Sequence, residues 1–383
     1  MKRFVPLALV VPLAIAAGCS SSAKSSTGST TTTPGSSGSS SPASAASATV
    51  NMNLGNPAGP VTVTEAGSSL LYPYLQELVT PLHAAYSNVT LTLAAGGSGK
   101  GISDAIAGTT QLGGSDAYLS NSQLTANPGL MNIPVAVSSQ AVDYNLPGVT
   151  NLKLSGDVLA KIYEGTIKTW NDPAITALNP GVTLPSKAIV PVRRVDSSGD
   201  TFLFTSFLSA TNPTWSNGPG FGTTVSWPTV STEETASGNP GMVQTCSTTP
   251  GCVAYIGISA QSTAQTAGLG EAELQNKDGS FVQPSSTTVL AAVSAGAGSV
   301  PANLAGSLIY EPGSTSYPIV NFEYIVVKKQ QSSADAAQAI RDFLGFTISP
   351  SGGSSPTYLT KDQFQALPDS VVPKVESAIA SIQ

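Results

Sequence analysis

Arg194-Val195-Asp196-Ser197-Ser198-Gly199-Asp200-Thr201 is the stretch on which the fold turns. The run before it, Ala188-Ile189-Val190-Pro191-Val192, is strand-like. After it, Leu203, Phe204, Phe207 and Leu208 form i,i+4 pairs. The stretch is therefore predicted to carry a strand into a helix. A helix N-terminus has free N–H groups and a partial positive charge, which makes such a turn an anion site. Arg194 adds a fork of charged donors. Ser198 supplies a hydroxyl, and Gly199 lets backbone approach a ligand closely. Asp196 is expected to pair with Arg194 and hold the guanidinium in place.

Three further stretches have the same character: Ala66-Gly67-Ser68-Ser69, Gly96-Gly97-Ser98-Gly99 and Gly113-Gly114-Ser115-Asp116. Val61 and Val63 alternate ahead of the first, Val89, Leu91 and Leu93 ahead of the second. Gln111 to Gly114 reads as a short strand. Leu71, Leu75, Leu78 and Leu82 follow at helical spacing, as do Ile102, Ala105 and Ile106. Strand, glycine turn and helix thus repeat, which argues for α/β units around a sheet. Ligands of such sheets sit at the carboxyl ends of the strands, where these turns lie. Farther on, Asn132–Val137 reads as a strand leaving a first lobe, Gly156–Tyr163 as a helix and Ile319–Val327 as a strand. The chain from about Ser333 reads as helical.

With 383 residues the chain is long enough for two lobes. A formal net charge of -6 argues against a nucleic-acid partner. It does not argue against a small anion, which is held by local dipoles and one or two cations. Lys2, Arg3 and the apolar run from Phe4 to Ala17 read as a signal sequence ending in Ala16-Ala17-Gly18-Cys19. Small residues before a Cys resemble a bacterial lipobox, so Cys19 is the expected lipidation site, although Ala16 stands where Leu is usual. Residues 1–18 are then the signal peptide. Residues 19–58, rich in Ser, Thr, Gly and Pro, are expected to be a flexible tether. With Cys19 lipidated, Cys246 and Cys252 remain. In an oxidising compartment they are expected to form a disulfide around Pro250-Gly251.

Several chemistries lack their residues. Gly101 after Gly99-Lys100 breaks the P-loop pattern, and the glycines from 96 to 101 miss the dinucleotide spacing. His83 is the single His, no nucleophile elbow is evident, and the Cys pair is a poor zinc candidate. No cofactor or metal is expected.

Asp116 and Asp200 bear on specificity. A carboxylate beside a bound anion repels it unless it accepts a proton from it. Protonated phosphate has an O–H to give, and ionised sulfate has none. In a dry site this distinction is worth on the order of 10⁴–10⁵ in selectivity. A second Asp needs a more protonated ligand or another donor nearby.

The chain resembles the PstS family, the phosphate-binding lipoproteins of bacterial phosphate ABC transporters, and above all its mycobacterial members. The resemblance runs from about Val61 to the C-terminal helix. It rests on Gly67-Ser68-Ser69-Leu70-Leu71-Tyr72-Pro73, Gly114-Ser115-Asp116-Ala117-Tyr118-Leu119-Ser120 and Tyr144-Asn145-Leu146-Pro147-Gly148. It rests also on Gly165-Thr166-Ile167-Lys168-Thr169-Trp170, Ser198-Gly199-Asp200-Thr201-Phe202-Leu203-Phe204-Thr205 and Tyr317-Pro318-Ile319-Val320-Asn321-Phe322-Glu323-Tyr324. It implies a type II periplasmic-binding-protein fold, two α/β lobes joined by crossover strands. The first lobe would take residues 59–142 and 317–383, and the second residues 143–316.

By motif, the resemblance implies phosphate held by Ser69, Leu70, Ser98, Asp116, Arg194, Ser198, Gly199 and Asp200. Ser69 would give its hydroxyl and N–H, and Leu70 its N–H. Asp116 would accept the phosphate proton. Cys246 and Cys252 match cysteines of the mycobacterial form. Arg193 stands where the family often has His, and its direction is open. The implied protein is no enzyme. It is a monomer, anchored by lipid outside the cytoplasmic membrane, that hands inorganic phosphate to permease subunits. The rival readings are a surface adhesin or antigen, a binder of another oxyanion, and a phosphatase. The intact Ser, Arg and Asp set counts against the first, Asp116 against the second, and the single His against the third.

Overall fold

The computed structural model describes residues 50–383. The signal sequence, Cys19 and most of the tether lie outside them. A long mixed sheet organises the chain. Its strand order is Val89–Ala95, Val61–Gly67, Leu112–Ser115, Ile319–Lys328, Leu130–Tyr144, Cys252–Gly257, Val190–Arg194, Glu234–Ala236. The first three are parallel to one another, as are the last three. Between them, Ile319–Lys328 and Leu130–Tyr144 run antiparallel to their neighbours.

Leu130–Tyr144 links the two halves of the sheet. Its first part, to Ser139, pairs with Ile319–Lys328, and Gln140–Tyr144 pairs with Cys252–Gly257. The strand is buried almost throughout, polar residues included. Only Asn132–Val137 read as strand in the sequence, because a strand covered on both faces has no period of two to mark its full length. Phe322, Tyr324, Ile325 and Val327 on its neighbour pack into one continuous core with Val135, Val137 and Val142.

The predicted helices form. Tyr72–Ala85 buries Leu75, Leu78 and Leu82. Gly156–Tyr163 and Gly199–Thr211 are capped by the hydroxyls of Ser155 and Ser198. Ser333 caps Ala334–Ile348. Cys246 and Cys252 are bonded, with their Cα atoms 5.3 Å apart. Residues 50–58, expected as the end of the tether, lie along Ala334–Ile348. There the Gly55 N–H donates to Asp342 at 2.8 Å and the Ala58 N–H to Asp335 at 3.0 Å.

Candidate functional site, a buried oxyanion receptor

All four glycine turns leave the carboxyl ends of parallel strands, and they face one another. The first three belong to neighbouring strands, because Gly67 pairs with both Ala95 and Gly114. The fourth comes from the other half of the sheet and closes on them. The Gly99 N–H donates to the Ser197 carbonyl at 2.9 Å. A Cβ on Gly199 would stand 2.3 Å from Asp116 Oδ2 and 2.4 Å from Ser98 Oγ, so only glycine permits this approach. Gly97 takes a φ of 85°, which turns the chain into the helix Ser98–Ala107. More bonds span the halves. Ser69 Oγ accepts the Asn239 N–H at 3.1 Å, and Ser259 Oγ donates to the Leu70 carbonyl at 2.8 Å.

Arg194 is buried and tied on three sides. Its Nε and Nη2 donate to the two oxygens of Asp196, and its Nη1 to Asp200 Oδ2 at 2.8 Å. Three of the five guanidinium donors are thus committed, which leaves two for an anion. Burial opposes its charge, but Asp196 and Asp200 outweigh burial and raise its pKa. Burial likewise works to raise the Asp196 carboxyl, yet the Arg194 hydrogen bond and charge hold it below the usual range. The support role expected of Asp196 is what the geometry displays.

Asp200 is bound by more than Arg194. Its Oδ1 accepts from Gln140 at 3.0 Å, and its Oδ2 from Asn239 at 2.8 Å as well as from Arg194. Burial raises its pKa, while those three partners pull it down. The donors that a second Asp required are therefore protein groups, and the carboxylate braces Arg194.

Asp116 is enclosed differently. Its Oδ1 accepts the Ser68 hydroxyl, and its N–H donates to Ser98 Oγ at 3.1 Å. Burial raises its pKa first, and the Asp200 charge adds to this. Asp116 does not open a helix, contrary to the expectation for all four turns. The following helix, Asn121–Ala126, is capped by Ser120. Asp116 is instead fixed by Asn321, whose amide donates to its carbonyl at 2.5 Å.

The other expected residues lie in the same enclosure. Ser198 caps its helix through Oγ to the Thr201 N–H at 3.3 Å. The Leu70 N–H, expected to face a ligand, here donates to Ser68 Oγ at 3.0 Å. Ser68 Oγ also accepts the Leu71 N–H at 3.0 Å and so holds the turn ahead of the helix Tyr72–Ala85. Arg193 turns away: it is bound to Glu233 at 2.9 and 3.2 Å and lies over Trp227. Sequence reasoning missed Ser68, Gln140, Asn239 and Glu323. Beside the enclosure a cavity of about 640 Å³ is walled by Tyr118, Phe202, Phe221, Thr223 and Asn303, from segments that flank Asp116 and Ser198.

A family profile described as a PBP superfamily domain matches residues 23–351. The phosphate-binding protein PstS of Methanocaldococcus jannaschii is 33% identical over 343 residues, covering 84% of this chain and 87% of that one. That of Pasteurella multocida is 34% identical, covering 82% and 89%. The phosphate-binding protein PstS3 of Mycobacterium bovis BCG is 32% identical, covering 85% and 87%. Among solved structures, PfluDING, a high-affinity periplasmic phosphate-binding protein bound with phosphate, superposes with a TM-score of 0.67. It is 21% identical and covers 83% of this chain and 93% of that one, a likeness of fold.

Proposed function

The chain belongs to the PstS family of phosphate-binding proteins, and from that premise we propose that it captures inorganic phosphate outside the cytoplasmic membrane and delivers it to an ABC-transporter permease. It does no covalent chemistry. Residues 59–142 and 317–383 form one lobe and 143–316 the other, and phosphate is enclosed where they close. Cys19 carries the lipid that anchors the chain, which acts as a monomer.

The observation that carries this reading is the meeting of Asp116, Ser98, Gly199 and Arg194 in one buried enclosure. Arg194 turns its two uncommitted donors to the anion. Ser98, Ser198 and the N–H groups at Gly199 and Asp200 add neutral donors, and Ser69 and Leu70 join them once their present partners are exchanged for ligand oxygens. Asp116 accepts the phosphate proton. Asp200 holds Arg194 rather than the ligand proton. Closure replaces the hydration shell of the anion with fixed donors, so affinity rests on a complete hydrogen-bond set. The cavity beside Tyr118 and Phe221 is the approach route. Calorimetric titration of phosphate-stripped protein tests the proposal: one-to-one binding of phosphate without response to sulfate supports it, and no phosphate binding overturns it.

A further inference from the structure

Glu323 is fully buried in a strand that is otherwise almost wholly apolar, Ile319–Lys328. The register places it beside the site. The antiparallel ladder ends where Tyr324 pairs with Ser115, the residue before Asp116, and Asn321 on the same strand donates to the Asp116 carbonyl. Glu323 Oε1 accepts the Ser138 hydroxyl at 2.5 Å. Its Oε2 is buried with no hydrogen-bond partner, and the acid beside it is Asp116, whose charge works against ionisation of Glu323. Two neighbouring ionised carboxylates repel, and a proton between them turns the repulsion into attraction.

The charge balance points the same way. Asp116, Asp196, Asp200 and Glu323 surround a single guanidinium. An anion would not enter such a site with all four acids ionised. The titratable and charged groups facing Glu323 are Asp116, Asp200 and Tyr324, with Arg194 behind Asp200.

We propose that Glu323 is a specificity-positioning residue: a neutral carboxylic acid that donates its proton to the Asp116 carboxylate. The donation fixes Asp116 as an ionised acceptor and leaves its cleft-facing oxygen to take the proton of the ligand. The inference rests on the phosphate reading above. Burial and the Asp116 charge keep Glu323 protonated well above the usual carboxyl range. When alkali removes that proton, the paired charges should expel the anion.

Two measurements on the full chain separate this inference from the phosphate reading. The first is phosphate affinity as a function of pH for wild type, Glu323→Gln and Ser138→Ala. Wild type is expected to lose affinity at least tenfold on the alkaline side. Glu323→Gln, whose amide still donates, should bind at neutral pH within about threefold of wild type and lack that loss. Ser138→Ala removes a bond that favours the ionised form, so its alkaline loss should move to higher pH. The second measurement needs no ligand. The infrared difference between wild type and Glu323→Gln at neutral pH should contain the carbonyl band of a neutral carboxylic acid.

If phosphate does not bind but the band is present, the functional reading fails and the shared proton stands. If phosphate binds and the band is absent, the shared proton is wrong. Identical alkaline limbs in wild type and Glu323→Gln also overturn it. If Glu323→Gln does not fold, an unmoved limb in Ser138→Ala together with no neutral-acid band in wild type overturns it.

Discussion

At the scale of single residues, neighbouring arginines divide the work. Arg194 is held inside by two aspartates, while Arg193 is spent on Glu233 and the Trp227 face. Arg194→Ala is expected to weaken phosphate binding at least about thirtyfold, since it leaves buried acids unpaired. Arg193→Ala should stay within about threefold, because its ion pair is partly exposed. Parallel titrations of both variants check this, and equal losses would contradict it. Arg194, Ser98 and Asp116 were legible because each sits in a turn whose neighbours announce it. Gln140 and Asn239 were not, because they reach Asp200 from distant segments that carry no local signal. Glu323 left a trace that could have been read: an acid inside Val320-Asn321-Phe322-Glu323-Tyr324-Ile325 contradicts its surroundings, which is the mark of a buried pair.

At the scale of elements, caps and strand ends were readable where a polar residue meets an apolar run. Ser155, Ser198 and Ser333 each cap the helix expected after them. The Asp116 turn failed as a helix start because its polar atoms serve Ser68, Ser98 and Asn321 instead. The disulfide is an element-scale device. It ties the end of helix Gly238–Thr248 to the start of strand Cys252–Gly257, and the other end of that helix carries Asn239. Cross-linking so short a loop stabilises by about 2 kcal/mol. Replacing both cysteines by alanine should lower the unfolding free energy by that amount, measured by denaturant titration. Phosphate affinity should stay within about twofold, because Asn239 is also held by Gly257, Asp200 and Ser69.

At the scale of the whole molecule, the α/β organisation and the placing of the site at strand ends followed from the repeated strand, glycine turn and helix. The length of the Leu130–Tyr144 crossover did not, since its burial erases the alternation. Buried acids give the fold a pH dependence of definite sign. Burial lifts Glu65 to about 8, against the Gly114 N–H that lowers it. Burial lifts Glu271 to about 7, against its Gln261 bond. Burial and the Glu77 charge lift Asp362 to about 6. Such groups bind protons more tightly folded than unfolded. Stability is therefore full below their unfolded pKa, near 4.5 for Glu and 3.8 for Asp, and is lost as pH rises through the folded values. The melting temperature should be higher at about pH 5 than at about pH 8.5, and Glu65→Gln should flatten the difference. A rise toward alkaline pH would contradict this balance.

The central claim is that a dry carboxylate at Asp116 selects an oxyanion that carries a proton. Calorimetric titration of wild type and Asp116→Asn with phosphate and with sulfate tests it most directly. Wild type should discriminate by on the order of 10⁴ or more, as a site does when its polar groups go unpaired with the wrong ligand. Asp116→Asn, with an amide donor in place of the acceptor, should lose most of that ratio by gaining sulfate. Unchanged selectivity in the variant would remove Asp116 from the recognition of the ligand.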